Sequence, residues 1–287
     1  MIAKFRLNSL FFLTLILACC IPSPTADDNS QLNAIPEALV NGTRTCMPRQ
    51  VDVTLSNDRQ VTLMVDYQDM IGSGKSGDVF SVKTSGDESI NANNYVVKII
   101  NDQKPSTIDA YDDAVQEYEL FRLFPDHVVE TYFVDYGHYY TGELYVKASI
   151  LVKKRIHGGT LDEVLKGFPE GRASLGFVSG KMDKLKQFKK QLANRMAAVA
   201  NEKGQFMADM HAENVMWNSS KWQVVDGYLI TGRSDYTKYL VNSKEAHLAE
   251  KLASYPLGEI PSEFFEAVLN LELTQPYIRK FPWLINY

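Results

Sequence analysis

Cysteine is scarce: three residues in 287, two of them adjacent at positions 19 and 20. That excludes a disulfide-stapled scaffold and leaves Cys46 as the one thiol clearly inside the body of the protein. The five histidines show no metal-ligand spacing, so zinc is not indicated. Basic residues are not in excess: 30 Lys and Arg against 35 Asp and Glu give −5, which argues against a nucleic-acid partner. There is no internal repeat, no heptad run, and no Gly-x-Ser-x-Gly elbow for acyl transfer. What is present, 45% hydrophobic and 23% charged residues, suits a globular chain with a large core.

The N-terminus reads as a targeting segment. Lys4 and Arg6 precede an apolar run over 10–18 that is too short to span a bilayer comfortably. Ile16-Leu17-Ala18-Cys19 resembles a bacterial lipobox, which would make Cys19 the acylated first residue of the mature chain; a plain secretory signal is the competing reading. Removing it takes two positive charges, leaving 28 minus 35, or −7. Residues 1–19 are therefore assigned to the signal and 20–50, rich in Pro, Ser, Asp and Asn, to a tether or loose extension.

Regular structure is expected from Val51. Val51, Val53 and Leu55 alternate with polar residues, Ser56-Asn57-Asp58 makes a turn, and Val61, Leu63 and Val65 resume the period of two. Next comes Gly72-Ser73-Gly74-Lys75-Ser76-Gly77-Asp78-Val79, a G-x-G-x-x-G-x-V pattern. Glycines there let a turn between two strands approach phosphates with its N–H groups, without Cβ clashes. A dinucleotide fold would need a helix to start in this loop, but Asp78 to Val82 reads as strand. A Walker A loop would need glycine at 69, which is Asp69.

Lys98 follows in a Val-Val-Lys-Ile strand, where an ammonium could reach the α and β phosphates. Residues 108–124 form an amphipathic helical pattern that carries Glu117, a candidate counter-charge for Lys98. Leu185, Phe188, Leu192, Met196 and Val199 keep helical spacing up to Gly204. After that helix, Asp209, Asn214 and Asp226 are spaced by 5 and 12 residues. A base for a hydroxyl, then an amide and a carboxylate as hard oxygen ligands for Mg²⁺, match these residue types.

In this order, from about residue 64 to 228, the sequence resembles the protein-kinase-like superfamily. The resemblance implies an α+β, bilobed fold with a β-rich N-lobe over 51–150 and a truncated helical C-lobe over 151–287. It implies ATP on Gly72, Gly74, Gly77 and Lys98, with Glu117 holding the lysine. Asp209 would be the catalytic aspartate, and Asn214 and Asp226 the Mg²⁺ ligands. Ile150-Leu151-Val152 and Gly158-Gly159-Thr160-Leu161 resemble the hinge and the helix after it.

The departures narrow the reading. Met207-Ala208 replaces the His-Arg before the catalytic aspartate, so regulation by activation-loop phosphorylation is not expected. His211 stands where protein kinases carry lysine, as in the aminoglycoside and choline phosphotransferases, and Gly227-Tyr228 follows Asp226 in place of Phe-Gly. Only 61 residues follow Asp226 (287 minus 226), with no Ala-Pro-Glu motif. The pattern is similar to the short effector Ser/Thr kinases of Gram-negative bacteria. It implies a protein substrate in a host or target cell, an activating host factor, export from the bacterial cytoplasm, and membrane contact only through an acylated Cys19. A small-molecule phosphotransferase and a nucleotide-binding pseudokinase are the alternatives. Lys181, Lys184, Lys186, Lys189 and Lys190 read as a solvated helical face, and Tyr277, Phe281, Trp283 and Tyr287 as packing.

Overall fold

A computed structural model describes residues 43–44, 47–74, 76–83, 91–104, 107, 109–140, 144–166 and 175–278. Cys19, Cys46, Lys75 and the aromatics Phe281, Trp283 and Tyr287 lie outside them, as do residues 1–19, on which the targeting expectation rests. The chain divides into two compact units, residues 1–115 with 131–155, and residues 116–130 with 156–287.

The first unit is built on one seven-stranded sheet. Its strands are β1 (Thr43–Arg44), β2 (Gln50–Thr54), β3 (Gln60–Ser73), β4 (Gly77–Lys83), β5 (Tyr95–Asn101), β6 (Thr131–Tyr140) and β7 (Tyr145–Lys154), in the order β1-β6-β7-β5-β4-β3-β2. All pairings are antiparallel except β1 on β6, where Thr43 and Arg44 pair His138 and Tyr139. Regular structure thus begins before Val51. The period-2 pattern puts Val51, Val53, Val61 and Leu63 into the core while their neighbours stay polar. Central β5 is buried on both faces, so it reads Val-Val-Lys-Ile-Ile without alternation. Val97 and Ile99 enter the main core of this unit. Ile100 packs on the other face with Leu151 and with Ala110 and Ala114 of helix α1 (Ala110–Leu123).

The second unit is mainly helical. It holds the end of α1, then α2 (Leu161–Lys166), the long α3 (Leu175–Lys203), α4 (Arg233–Asn242), α5 (Ala246–Ser254), α6 (Ser262–Leu273) and the short α7 (Gln275–Ile278). Two small antiparallel ladders join them: the hairpin of β9 (Val215–Asn218) with β10 (Lys221–Val224), and β8 (Gln205–Ala208) with β11 (Tyr228–Thr231), between which that hairpin is inserted. Leu185, Phe188, Leu192, Met196 and Val199 form the buried stripe of α3. Thr160 caps α2 in a reciprocal box, its N–H donating to Glu163 Oε2 (2.8 Å) and its Oγ1 accepting from Glu163 N–H (3.1 Å). A β-sheet unit with one helix before its last two strands, followed by a helical unit with two short antiparallel ladders, matches the element order of a kinase-like fold.

The lysine-rich face of α3 is not uniformly solvated. Lys184, Lys186 and Lys190 are exposed, but Lys189 is only 4% exposed and donates to Asn270 Oδ1 of α6 at 2.6 Å. Burial lowers its pKa to about 8 despite Glu266 nearby. Below pH 8 both folded and unfolded states carry the proton. Between 8 and the ordinary 10.5 the unfolded state binds it more, so stability rises with pH across that window. We expect a gain of about 2 kcal/mol between pH 7.5 and 10 in chemical denaturation, and loss of that gain in Lys189→Met. An equal pH response in the variant would place the titration elsewhere.

Candidate active site

The glycine-rich turn is a strand hairpin. Gly74 N–H donates to Gly77 O (2.8 Å), Ser73 Oγ–H donates to Asp78 Oδ1 (2.6 Å), and Lys104 Nζ reaches Asp78 at 2.7 Å. Gly77 is needed for packing: a Cβ there would stand 2.5 Å from Ile99 O on the neighbouring strand. Around Gly72 nothing lies within 4 Å of a Cβ, and Gly74 meets only Gly77 O at 3.6 Å, so those two positions face open space. The three glycines therefore differ in role: one seats the hairpin, and two leave its tip uncluttered.

Lys98 pairs in register with Val79 on one side and Leu151 on the other, so its side chain shares the face of Leu151 and Ile100. It is 4% exposed. A buried ammonium demands a compensating charge or hydrogen bonds. Glu117, also buried, lies three residues beyond Ala114 on α1, on the helical face that carries Ala110 and Ala114. Lys98 and the glycines belong to the first unit, and Glu117 falls in the second.

In the second unit two antiparallel ladders bring the backbone at Asp209, Asn214 and Asp226 to neighbouring positions. The β8–β11 ladder ends at the pair Ala208 and Tyr228, so the chain leaves it at Asp209 and enters it from Gly227. The β9–β10 ladder starts at Val215 and Val224 and is extended by Val225 N–H donating to Asn214 O (2.8 Å). Asp226 is thereby held between Asp209 and Asn214 by backbone pairing on either side. Asn214 Nδ2 donates to Asp209 O (2.9 Å) and Oδ2 (3.3 Å), which turns its amide oxygen away from Asp209. An amide oxygen and a carboxylate at the open end of one hairpin are hard donors of the kind Mg²⁺ takes, with phosphate and water oxygens filling its remaining positions. Among the described residues no group of three or more His, Cys, Asp and Glu is arranged to hold a metal.

Asp209 has φ of +64°, a left-handed conformation that costs a non-glycine residue about 1–2 kcal/mol. Its backbone is secured from below. Asp209 N–H donates to Tyr239 Oη (3.0 Å), Tyr239 O–H donates to Glu272 Oε1 (2.8 Å), and Met210 N–H donates to Glu272 Oε2 (3.2 Å). Burial pushes the Glu272 carboxyl up to about 7, with the charges of Asp209 and Glu245 adding to it and the two hydrogen bonds opposing it. Burial, and then Glu272, push Tyr239 far above the ordinary phenol value. His211 Nε2 stands 3.6 Å from Asp209 Oδ1, both side chains about half exposed. Tyr277 donates to Asp162 of α2, which also holds Lys166 at 2.7 Å, so this aromatic does pack on the helical unit.

Tyr239 and Glu272 carry no sequence motif. Their only signal is amphipathic placement on α4 and α6, which ordinary core residues share. The glycines, Lys98 and the Asp209, Asn214 and Asp226 trio were visible because their spacing is local.

No family model matches the sequence, and no curated protein matches it. A solved structure, that of Rad53 1–466 in complex with AMP-PNP, is similar with a TM-score of 0.42 and 13% identity. The match covers 74% of this chain and 53% of that one, so it spans about half of Rad53 1–466. The chain is an α+β protein, a β-rich sheet unit followed by a mainly helical one, whose element order matches a kinase-like fold. Among the described residues no helix is long and apolar enough to cross a membrane.

Proposed function

We propose that the chain is an ATP-dependent phosphotransferase acting as a Ser/Thr protein kinase. The observation that carries this reading is the loop cluster in which two ladders hold Asp209, Asn214 and Asp226 side by side, with Asp209 in a left-handed conformation. In this reading Gly72 and Gly74 keep the hairpin tip free of side chains where the triphosphate would lie, and Lys98 neutralises α and β phosphate oxygens. Asn214 and Asp226 would hold Mg²⁺, which would supply positive charge to offset that of the phosphate oxygens. Asp209 orients the acceptor hydroxyl and takes its proton as the hydroxyl oxygen forms its bond to the γ-phosphorus and ADP departs. Little covalent chemistry is asked of the protein, since positioning and charge neutralisation carry phosphoryl transfer.

The Asp-x-His-x-x-Asn spacing of Asp209, His211 and Asn214, with His211 close to the aspartate, favours a small hydroxylated acceptor as a second reading. The targeting segment supports export as an effector acting in a host or target cell, with a lipid anchor if Cys19 is acylated. Export and lipid anchoring rest on residues outside the described ones.

The test is transfer of labelled phosphate from ATP with Mg²⁺ to the protein itself, to a eukaryotic lysate and to a panel of small hydroxylated compounds. Label in a protein band supports the kinase, and label only in small molecules supports the second reading. No transfer from a folded chain that binds ATP would point to a pseudokinase or a missing activator. Lys98→Ala is expected to slow transfer by about 10²-fold, the usual cost of one lost electrostatic contact to the reacting group. A wild-type rate would show that another cation does this work.

A further inference from the structure

Two side chains outside every sequence motif control the backbone of Asp209. The three hydrogen bonds beneath the loop converge on Glu272: the Asp209 amide donates to the Tyr239 hydroxyl, which donates to Glu272, whose other oxygen receives the Met210 amide. Each carboxylate oxygen therefore faces a donor. An ionised carboxylate satisfies both. A protonated one has to place its hydrogen on an oxygen already used, so it weakens one bond or turns the Tyr239 hydroxyl round. Once that hydroxyl turns, it no longer accepts well from the Asp209 amide, and a residue at φ +64° loses the contact that offsets its strain.

We propose that Glu272 and Tyr239 are positioning residues for phosphoryl transfer, setting the direction of the Asp209 carboxylate through this hydrogen-bond chain and doing so only while Glu272 is ionised. The proposal rests on the phosphotransferase reading for its catalytic consequence, but not for its geometry.

The surroundings make the ionisation a near-neutral event. Glu272 is faced by Asp209 and Met210 from the loop, Tyr228 from β11, Tyr236 and Tyr239 from α4, and Glu245 from the turn into α5. These titratable neighbours are acids and phenols, so none stabilises the charge as a cation would. Burial adds to the same direction, and the carboxyl titrates near 7 instead of at its ordinary 4.5. The sign follows: at pH 8 the chain is intact and Asp209 is held, and as pH falls through 7 Glu272 takes up a proton and the hold loosens. Turnover should therefore rise with pH across 6–8, while nucleotide affinity, which these residues do not touch, stays level.

Two measurements on the full chain separate this from a structural role and from failure of the functional reading. In protein labelled with ¹⁵N at methionine, the Met210 amide resonance (assigned by its loss in Met210→Leu) should titrate with a midpoint near 7. It should be flat in Glu272→Gln. A flat wild-type resonance between pH 5.5 and 8.5, or the same titration in Glu272→Gln, overturns the proposal whether or not the chain transfers phosphate. In the transfer assay, Glu272→Gln and Tyr239→Phe should each lower kcat at pH 8 by about 10-fold with KM for ATP unchanged, the pattern expected when an interaction acts on the transition state alone. Glu272→Gln should also lose the rise of kcat between pH 6 and 8. If Glu272→Gln does not fold, Tyr239→Phe, which removes a single hydroxyl, decides the matter. A wild-type kcat in Tyr239→Phe overturns the relay. Absence of transfer in the wild type would instead sink the phosphotransferase reading and leave the resonance titration to judge the geometry.

Discussion

Under the proposed metal role, Asp226→Ala is expected to abolish phosphate transfer, with a fall in rate of at least about 10³-fold, since a metal-holding carboxylate would supply charge stabilisation that no neighbour can replace. Asp226 sits between two backbone ladders, and its Oδ1 accepts from Gly227 N–H at 2.9 Å. Removing the carboxylate leaves those ladders in place, because they are made by main-chain groups at 208, 214, 225 and 228. The variant should thus melt close to the wild type while transferring no label from ATP. Asn214 alone would then have to hold Mg²⁺ against water, which one neutral amide does poorly. A variant that keeps full transfer would remove the metal role from Asp226, and one that unfolds would show that the carboxylate is structural.

Gly158→Ala is expected to be the most damaging small substitution in the second unit. A Cβ there would lie 1.6 Å from Trp217 O and 2.8 Å from the carbonyl carbon, which no rotamer change can relieve because the obstacle is backbone. The two segments are joined just beyond it: Trp217 N–H donates to Gly159 O (3.0 Å), and Thr160 bridges Met216. Separating them pulls β9 away from the capped start of α2 and disturbs Asn214 at the head of β9. Overpacking against fixed backbone should cost about 3–4 kcal/mol, read as a fall in melting temperature of roughly 10 °C. Gly72→Ala, with nothing within 4 Å of the new methyl, is the control and should melt like the wild type. A Gly158→Ala melting curve that matches the control would mean that the 158–160 segment moves aside freely.

Local pattern explains what was legible. The β2–β3 hairpin follows from alternation around an Ser-Asn-Asp turn, and α3 follows from a repeat of buried positions at 185, 188, 192, 196 and 199. Asp209, Asn214 and Asp226 could be picked out because one hairpin and its flanking strands span them, so sequence spacing nearly equals spatial order. The buried state of Lys189 could not be read that way. On a helical wheel it resembles Lys186 and Lys190, and only the arrival of Asn270 on α6 distinguishes it. β1 was hidden for a related reason: two residues in an otherwise aperiodic stretch become strand only because the edge of β6 receives them.

The order of the elements, the strand and helix periods, the glycine positions and the identity of the chemical groups are thus properties of the sequence itself, because each depends on neighbours within about one turn or one hairpin. Tertiary structure decided which groups lose water and which backbone is held. It set Glu272 and Tyr239, 62 and 30 residues from their loop partners, beneath Asp209. It also made a carboxyl titrate near neutrality by surrounding it with other acids and phenols. Desolvation and the direction of a hydrogen-bond chain are properties of enclosure, and enclosure exists only after distant segments have packed.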